Sequence, residues 1–305
     1  MNDDKFTFVK LDEMASEKII APQYSYWKSV FRKFFSSKVT IVMLVIAVIV
    51  VVFSMIQPLF SHYSPSNTPN INDFTLRFNS PSWKFPFGTD PVGNSLFDRV
   101  WAGTRNSLLI AFIATTITTV LGVAVGAFWG YSKKIDRFMI EIYNIIANVP
   151  FQLLIIIIMY VIGKGFWQLI FALSVTSWLG TAFFIRVQVM IIRDREHNLA
   201  SRCLGTPTSR MITRNILPYL ISVIVTLISR DIPSFISYEV FLSYLGIGLT
   251  QETPSLGRTI AEFNNFMTGY PYLFWLPVVV LAIVTVSLYV VGQSLADASD
   301  PRTHN

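Results

Sequence analysis

The sequence predicts an all-α membrane protein with six transmembrane helices. Of its 305 residues, 52% are hydrophobic and only 14% are charged, which is too apolar a composition for an ordinary water-soluble domain. Uncharged apolar runs recur along the chain, and each approaches the roughly 20 residues that cross the hydrocarbon layer as a helix. Lys and Arg are concentrated in alternate connecting segments, as in proteins that thread back and forth through a bilayer.

The predicted spans share this apolar character and cover residues 39–60, 107–131, 139–162, 166–185, 219–249 and 272–295. The third span crosses Pro150. The fifth is the least regular, because it meets Arg230, Asp231 and Pro233 before it resumes through Glu239. The first 38 residues are mostly polar, so we expect the first span to be a retained anchor rather than a cleaved signal peptide.

The positive-inside rule orients these spans. Basic residues cluster before span one, between spans two and three, and between spans four and five. We therefore expect a cytoplasmic N-terminal tail (1–38), a long external loop (61–106), and a transmembrane domain (107–296) that contains a cytoplasmic loop (186–218). A short tail (297–305) is also expected in the cytoplasm.

Several other functions are not supported by the residues. The net charge of +6 follows from the positive-inside bias, so nucleic acid is not required to explain it. The sequence has no GxxxxGK[ST] phosphate loop, HExxH or GxSxG motif, and Cys203 is its only cysteine. The three histidines, His62, His197 and His304, are widely separated. We expect no catalytic residue, no metal and no bound cofactor.

The cytoplasmic loop contains a pattern typical of a docking elbow. Small residues at Ala200 and Ser201 allow a short helix to approach another surface, Gly205 can end that helix in a left-handed conformation, and Pro218 allows a new helix to begin. The segment resembles the EAA loop of ABC import permeases. Its relevant residues are Glu196, Leu199, Ala200, Ser201, Gly205, Leu217 and Pro218, of which Leu199 and Ser201 depart from the family pattern.

A second motif lies in the external loop. Gly88-Thr89-Asp90, then Gly93, then Arg105 on the approach to span two resemble the oligopeptide, dipeptide and nickel permease subfamily. Asn94 and Ser95 replace an Arg-Asp pair there. Residues 239–248, 254–257 and 292–302 also resemble that subfamily, and the last of these ends in Asp-Pro-Arg. The entry motif, this ending and the long external loop point to the C-type of its two homologous permeases.

The resemblance implies a type I ABC importer permease fold in the plasma membrane of a prokaryote, with both termini in the cytoplasm. It implies four partners besides membrane lipid: a homologous permease in a heterodimer, two cytoplasmic ATPase subunits that use the ATP, and an extracellular lipid-anchored peptide-binding protein. In that family the loop 196–205 docks on the ATPase. The expected function is uptake of short peptides by alternating access, without catalysis by this chain.

Ionisable residues at membrane depth are functional candidates by default because their burial is costly. Arg230, Asp231 and Glu239 are therefore candidate pathway or gate residues. Two alternatives stay open. The cargo could instead be nickel, glutathione or an antimicrobial peptide, or the protein could be a proton-coupled secondary transporter in which Glu239 or Asp231 carries the proton.

Overall fold

The computed structural model describes residues 26–61, 63 and 72–299, and its regular structure in these ranges is helical apart from one bridge between Thr89 and Ser95. The predicted ends of the chain, 1–25 and the Asp-Pro-Arg motif at 300–302, lie outside the described residues. The helices are α1 (Tyr26–Phe34), α2 (Lys38–Phe60), α3 (Leu96–Tyr131), α4 (Lys133–Ala147), α5 (Phe151–Ile162), α6 (Phe166–Arg193), α7 (Glu196–Cys203), α8 (Ile221–Tyr244), α9 (Leu256–Phe263) and α10 (Pro271–Ser299).

The predicted all-α membrane fold is confirmed. Five helical stretches are long and apolar enough to cross a membrane: α2, α3, α6, α10, and the stretch Thr208–Tyr244 that ends with α8. The pair α4 and α5 supplies a sixth candidate span, but it is bent by 84°. The chain is thus a multi-pass membrane protein.

The third span is not the single helix predicted from its hydropathy. Pro150 precedes α5, and it has no N–H to donate into the preceding turn. The residue before a proline is also disfavoured in the helical region, so α4 ends at Ala147 and the chain turns before α5 begins. An apolar run indicates that a segment prefers the membrane, but it does not indicate whether that segment forms one straight helix.

The second span begins at Leu96 rather than near Ser107, which was the predicted end of the external loop. Ser95 caps α3 by accepting a hydrogen bond from the Asp98 N–H. With 36 residues, α3 is about 54 Å long, well beyond the hydrocarbon thickness. Its charged first turns therefore project past the bilayer, where hydropathy alone indicated a loop.

Two further boundaries differ from the sequence prediction. Helix α6 continues to Arg193 instead of ending at Ile185, and α8 runs without interruption through Pro233 to Tyr244. Arg230 and Asp231 pair with each other inside α8, with 3.2 Å between Nη2 and Oδ1. The charges are balanced within one turn, so they do not require the helix to break.

The central packing unit is α3 against α6. Gly122, Gly126 and Gly130 face α6, and a Cβ at Gly122 would lie 2.5 Å from the Thr181 side chain. A Cβ at Gly130 would lie 2.6 Å from the Arg186 carbonyl oxygen. The four-residue spacing of these glycines predicts close helix packing from the sequence, and the structure confirms it, since the two backbones approach too closely for any side chain.

The other helices assemble on this unit. Helix α8 packs against α3 and α10, and α2 lies against α3 and α10 at the edge. At the other end of the bundle, Val30 and Phe34 of α1 pack against Ala298, while Tyr26 donates a hydrogen bond to the Ser299 carbonyl at 2.8 Å. Helix α1 leaves Trp27 and Phe31 exposed, as expected of an amphipathic helix at the membrane interface.

We predict that Gly130→Ala lowers the thermal unfolding midpoint of the purified protein by several degrees. The added methyl group meets the α6 backbone, which cannot move aside as a flexible side chain would, and overpacking of this kind costs about 1–3 kcal/mol. Gly180→Ala is the matched control, since a Cβ there has no atom within 4 Å. Equal midpoints for the two variants would contradict the close approach of α3 and α6.

Candidate functional site

The predicted docking elbow is a separate short helix, α7, at the end of α6. Gly205 follows it with a φ of +80°, the left-handed conformation expected from the sequence. Pro218 begins a new helical turn, Leu217–Leu220, as also expected. The local backbone predictions for this loop are confirmed.

Buried polar contacts fix α7 to the membrane helices. Asn198 is 2% exposed, and its amide donates a hydrogen bond to the Ile192 carbonyl at 2.8 Å. Arg193 donates to the Gly130 carbonyl at 2.9 Å and pairs with Asp194. This hydrogen-bonded pairing lowers the pKa of Asp194. These contacts hold α7 against the α3–α6 unit.

The opposite side of α7 is open. Glu196, Leu199, Ala200 and Gly205 are exposed, and Ser201 is half-buried. Leu204 directly follows α7 and has 86% of its surface exposed; it lies within the segment 196–205 but was not singled out among the predicted residues. Leu199, the departure from the family acid, is also exposed.

A packed segment connects this surface to α8. The stretch Met211–Ile216 is a π-helix, and it buries Met211, Ile212 and Ile216 in a cluster that also contains Ile185 of α6. Asn215 donates a hydrogen bond to the Ser201 hydroxyl at 3.4 Å. The connection between α7 and the start of α8 is therefore packed rather than loose.

The external motif forms a hydrogen-bonded turn before α3. Asp90 is 1% exposed and accepts backbone hydrogen bonds from Val92 at 3.0 Å and Asn94 at 2.8 Å. Gly93 has a φ of +80°, which this turn requires. Burial raises the pKa of Asp90, and these backbone bonds act in the opposite direction.

The same turn is fastened to two other elements. The buried Thr89 accepts a hydrogen bond from the Asn79 N–H at 2.9 Å, and its carbonyl accepts one from the Tyr272 hydroxyl at 3.0 Å. Gly88, with a φ of +79°, passes so close to Asn79 and Tyr272 that no side chain fits. The motif therefore joins the external loop to α10. Arg105 lies apart from it on α3, and its Nε has no hydrogen-bond partner among the described residues.

An ion-paired cluster that sequence reasoning missed lies beside this turn. Arg99 forms a bidentate pair with Glu262, lies 3.7 Å from Asp90, and stacks over the Phe263 ring at 4.6 Å. Asp90 lies close to Arg99 in sequence, but Glu262 of α9 is 163 residues away. No local pattern marked Arg99 as different from the other external arginines.

The three charged candidates inside the spans do not form one site. Glu239 is fully buried and accepts hydrogen bonds from Ser107 at 2.6 Å and Ser243 at 2.8 Å. None of the ion pairs found in the described ranges includes it. Arg230 and Asp231 pair two turns earlier on α8, where the Arg230 side chain is 64% exposed. A gate or pathway role for these residues stays a prediction.

Comparisons with known proteins identify the family. The model of the "Binding-protein-dependent transport system inner membrane component" family matches residues 119–305, and that of the "N-terminal TM domain of oligopeptide transport permease C" matches residues 25–81. This chain belongs to the family of binding-protein-dependent inner membrane components. The predicted membership in the C-type branch of the peptide permeases is confirmed by the second match.

Two relatives extend over nearly the whole chain. The oligopeptide transport system permease protein AmiD of Streptococcus pneumoniae is 55% identical over 99% of this chain and 98% of its own length. The oligopeptide transport system permease protein OppC of Bacillus subtilis is 33% identical over 94% of this chain and 93% of its own length. As a permease of this family, the chain requires an ATPase and a substrate-binding protein as partners.

A solved structure supports the predicted type I importer fold. The inward-facing MetNI methionine ABC transporter has a permease chain that aligns with a TM-score of 0.52 at 18% identity. The alignment covers 67% of this chain and 96% of that chain. At this identity the likeness shows the fold alone.

We predict that Asp90→Asn changes how stability depends on pH. Because burial raises the pKa of Asp90, the folded protein holds this proton more tightly than the unfolded chain does. Asp90 therefore contributes stability below its unfolded pKa of about 3.9, and this contribution is lost as pH rises through the higher folded pKa. Asn keeps the oxygen that accepts from Val92 and Asn94, but it does not titrate.

The measurement is the thermal unfolding midpoint of both proteins between roughly pH 3.5 and 6.5. The midpoint of the unchanged protein, minus that of Asp90→Asn, should fall as pH rises. A difference that stays constant or grows with pH would show that the pKa of Asp90 is not raised.

Proposed function

We propose that this chain is the non-catalytic C-type permease of an ATP-driven importer of short peptides. The observation that carries the proposal is α7, which exposes Leu199 and Leu204 while Asn198 holds it rigidly to α6. An exposed apolar surface on a fixed support suits docking of the ATPase. The peptide cargo follows from the names of the relatives, AmiD and OppC, both oligopeptide permeases.

In the proposed mechanism, this chain changes conformation, and its partner subunits hydrolyse the ATP. Two cytoplasmic ATPase subunits bind ATP and close, and their closure displaces α7. The packed segment Met211–Ile216 passes the displacement to α8, whose far end lies beside the external turn. The pathway between this chain and a homologous permease then opens at the opposite face of the membrane. This chain itself binds no nucleotide.

The proposed heterodimer is supported by apolar surface that the described part of the chain leaves uncovered. The broken pair α4–α5 exposes large apolar side chains on both arms, including Phe138, Ile145, Ile157 and Tyr160. The backbone turn at 148–150 is exposed as well. Irregular backbone at membrane depth requires cover from protein or contact with a water-filled cavity. A second permease subunit would cover this backbone with protein, and the pathway between the two subunits would supply a water-filled cavity.

The proposed orientation places α1 and α7 in the cytoplasm of a prokaryotic cell, with an extracellular peptide-binding lipoprotein at the other face. Basic residues support it, since Lys28 and Arg32 of α1 lie at the same end of the bundle as the last turns of α10. Lys133, Arg186 and Arg193 are also at the end of α3 and α6 that bears α7. This is the distribution that the positive-inside rule associates with the cytoplasm.

The proton-driven alternative is not favoured. Glu239, the residue that would carry the proton, is enclosed by serine hydroxyls. The relatives are components of binding-protein-dependent systems, which the alternative does not use. Peptide cargo is likewise preferred to nickel or glutathione because both near-full-length relatives are named for oligopeptide transport.

The test is ATP-dependent uptake of a labelled short peptide into proteoliposomes that contain the reconstituted complex. We predict that Gly205→Asp lowers uptake by roughly tenfold or more, because a carboxylate at the end of α7 is unfavourable both for the helix dipole and for a close protein contact. Association with the ATPase, measured by co-purification, should weaken in parallel.

Gly163→Asp is the matched control. Gly163 has a φ of +88° and Gly205 one of +80°, and a Cβ at either position has no atom within 4 Å. Both variants place a carboxylate at a residue with positive φ, and the strain is greater at Gly163, whose ψ of 177° lies in a region that glycine alone adopts readily. Uptake retained in Gly163→Asp would show that such strain does not by itself abolish transport, and unchanged uptake with unchanged ATPase association in Gly205→Asp would rule out the docking assignment.

A further inference from the structure

A cavity of about 490 Å³ opens beside the external turn. The turn, the start of α3, the end of α8 and the helix α9 all contribute to its wall, and the residues used below are Asp90, Asn94, Arg99, Arg258 and Glu262. Cavities of roughly 300–1,000 Å³ are typical of sites that enclose a small molecule rather than a protein surface. Its size therefore suits a few residues of a peptide.

The acidic groups in this wall are already engaged. Both oxygens of Glu262 accept hydrogen bonds from the Arg99 guanidinium. Asp90 accepts two backbone hydrogen bonds and lies 3.7 Å from the same guanidinium. Arg99 is thus shared between two carboxylates, and neither carboxylate is a strong site for a further cation.

Two donors in the wall have no partner. The Arg258 guanidinium makes no hydrogen bond or ion pair with the described residues. The two carboxylates of the wall, Asp90 and Glu262, already interact with its neighbour Arg99. Asn94 is only 9% exposed, and its side-chain amide makes no hydrogen bond within the described ranges. The Asn94 amide is therefore free to donate a hydrogen bond to a molecule in the cavity that its residue lines.

We propose that this cavity binds the terminal carboxylate of the cargo peptide, with Arg258 as its ionic partner and Asn94 as a second donor. A guanidinium presents paired N–H groups whose geometry matches the two oxygens of a carboxylate. The inference rests on the proposed peptide uptake, and it adds a contact on the permease itself.

The first test is protection of Arg258 from phenylglyoxal, which modifies accessible guanidinium groups, in the purified complex. Trialanine in excess should slow modification of Arg258 by roughly tenfold, the effect of a hydrogen-bonded charge pair, whereas trialanine amide should not. Mass spectrometry of the digested chain measures the modification. Arg137, which is exposed on α4, is the internal reference and should react equally in both samples.

Three outcomes would overturn the proposal. Equal protection by the acid and the amide would show that the carboxylate is not recognised. Absence of protection by either would show that the cavity does not take the peptide. Protection by the binding protein without peptide would show that the occupant is a side chain of that protein.

The second test measures peptide uptake by variants of the reconstituted complex. Arg258→Gln should reduce uptake of trialanine by roughly tenfold, and Arg258→Lys should retain part of it, because an ammonium keeps the charge but not the paired geometry. Lys164→Gln removes an exposed cation near the same end of the bundle but outside the cavity, so uptake should not change. Unchanged uptake in Arg258→Gln would contradict the proposal.

The two proposals fail in different ways. If the unchanged complex takes up peptide but Arg258 is neither protected nor required, the carboxylate site is wrong and the importer function remains. If the unchanged complex takes up no peptide under ATP, the proposed function itself fails. Because the Arg258 side chain makes no hydrogen bond or ion pair with the described residues, its substitution should leave folding intact, which the yield of the complex checks.

Discussion

The close approach of α3 and α6 is the contact on which the rest of the structure depends. Gly122, Gly126 and Gly130 let the backbones of α3 and α6 touch in the half of the bundle nearest α7. The segments at both ends of the bundle extend from this unit. At one end, Arg193 reaches from α6 to the Gly130 carbonyl and fixes the start of α7. At the other, α3 extends past the membrane and carries Arg99 into the external cluster. A rigid centre is what allows both ends to keep their geometry.

The two ends of the bundle are stabilised in the same way. Each holds an irregular segment with buried polar groups: Asn198 at the end that bears α7, and Thr89 with Asp90 at the other end. Unpaired buried polar groups are costly, so such contacts hold a loop in one conformation. Each end also leaves a different kind of group available: the exposed Leu204 at the first, and at the second Arg258, whose guanidinium has no hydrogen bond or ion pair with the described residues. Apolar surface suits a protein partner, and a free guanidinium suits a carboxylate.

Much of the fold was predictable because its signals are local. Apolar runs gave the membrane spans, and the glycine spacing in span two gave its packing face. The errors also have local causes. Charged residues near Arg99 concealed the first turns of α3, since hydropathy cannot distinguish a polar loop from a helix that leaves the bilayer. Hydropathy likewise does not register the bend that Pro150 imposes on the third span, nor the continuity of α8 through Pro233.

The sequence by itself determined the membrane class, the docking elbow and the family resemblance, because each rests on residues close together in the chain. Gly205 is left-handed in the structure for the reason its position indicated. Only the tertiary structure decided which charged groups are paired. Arg99 and Arg258 are both external arginines in the sequence, yet Arg99 is held by Asp90 and Glu262 while Arg258 faces a cavity. The pairing depends on distances between segments more than a hundred residues apart, and Coulomb attraction and desolvation act through those distances.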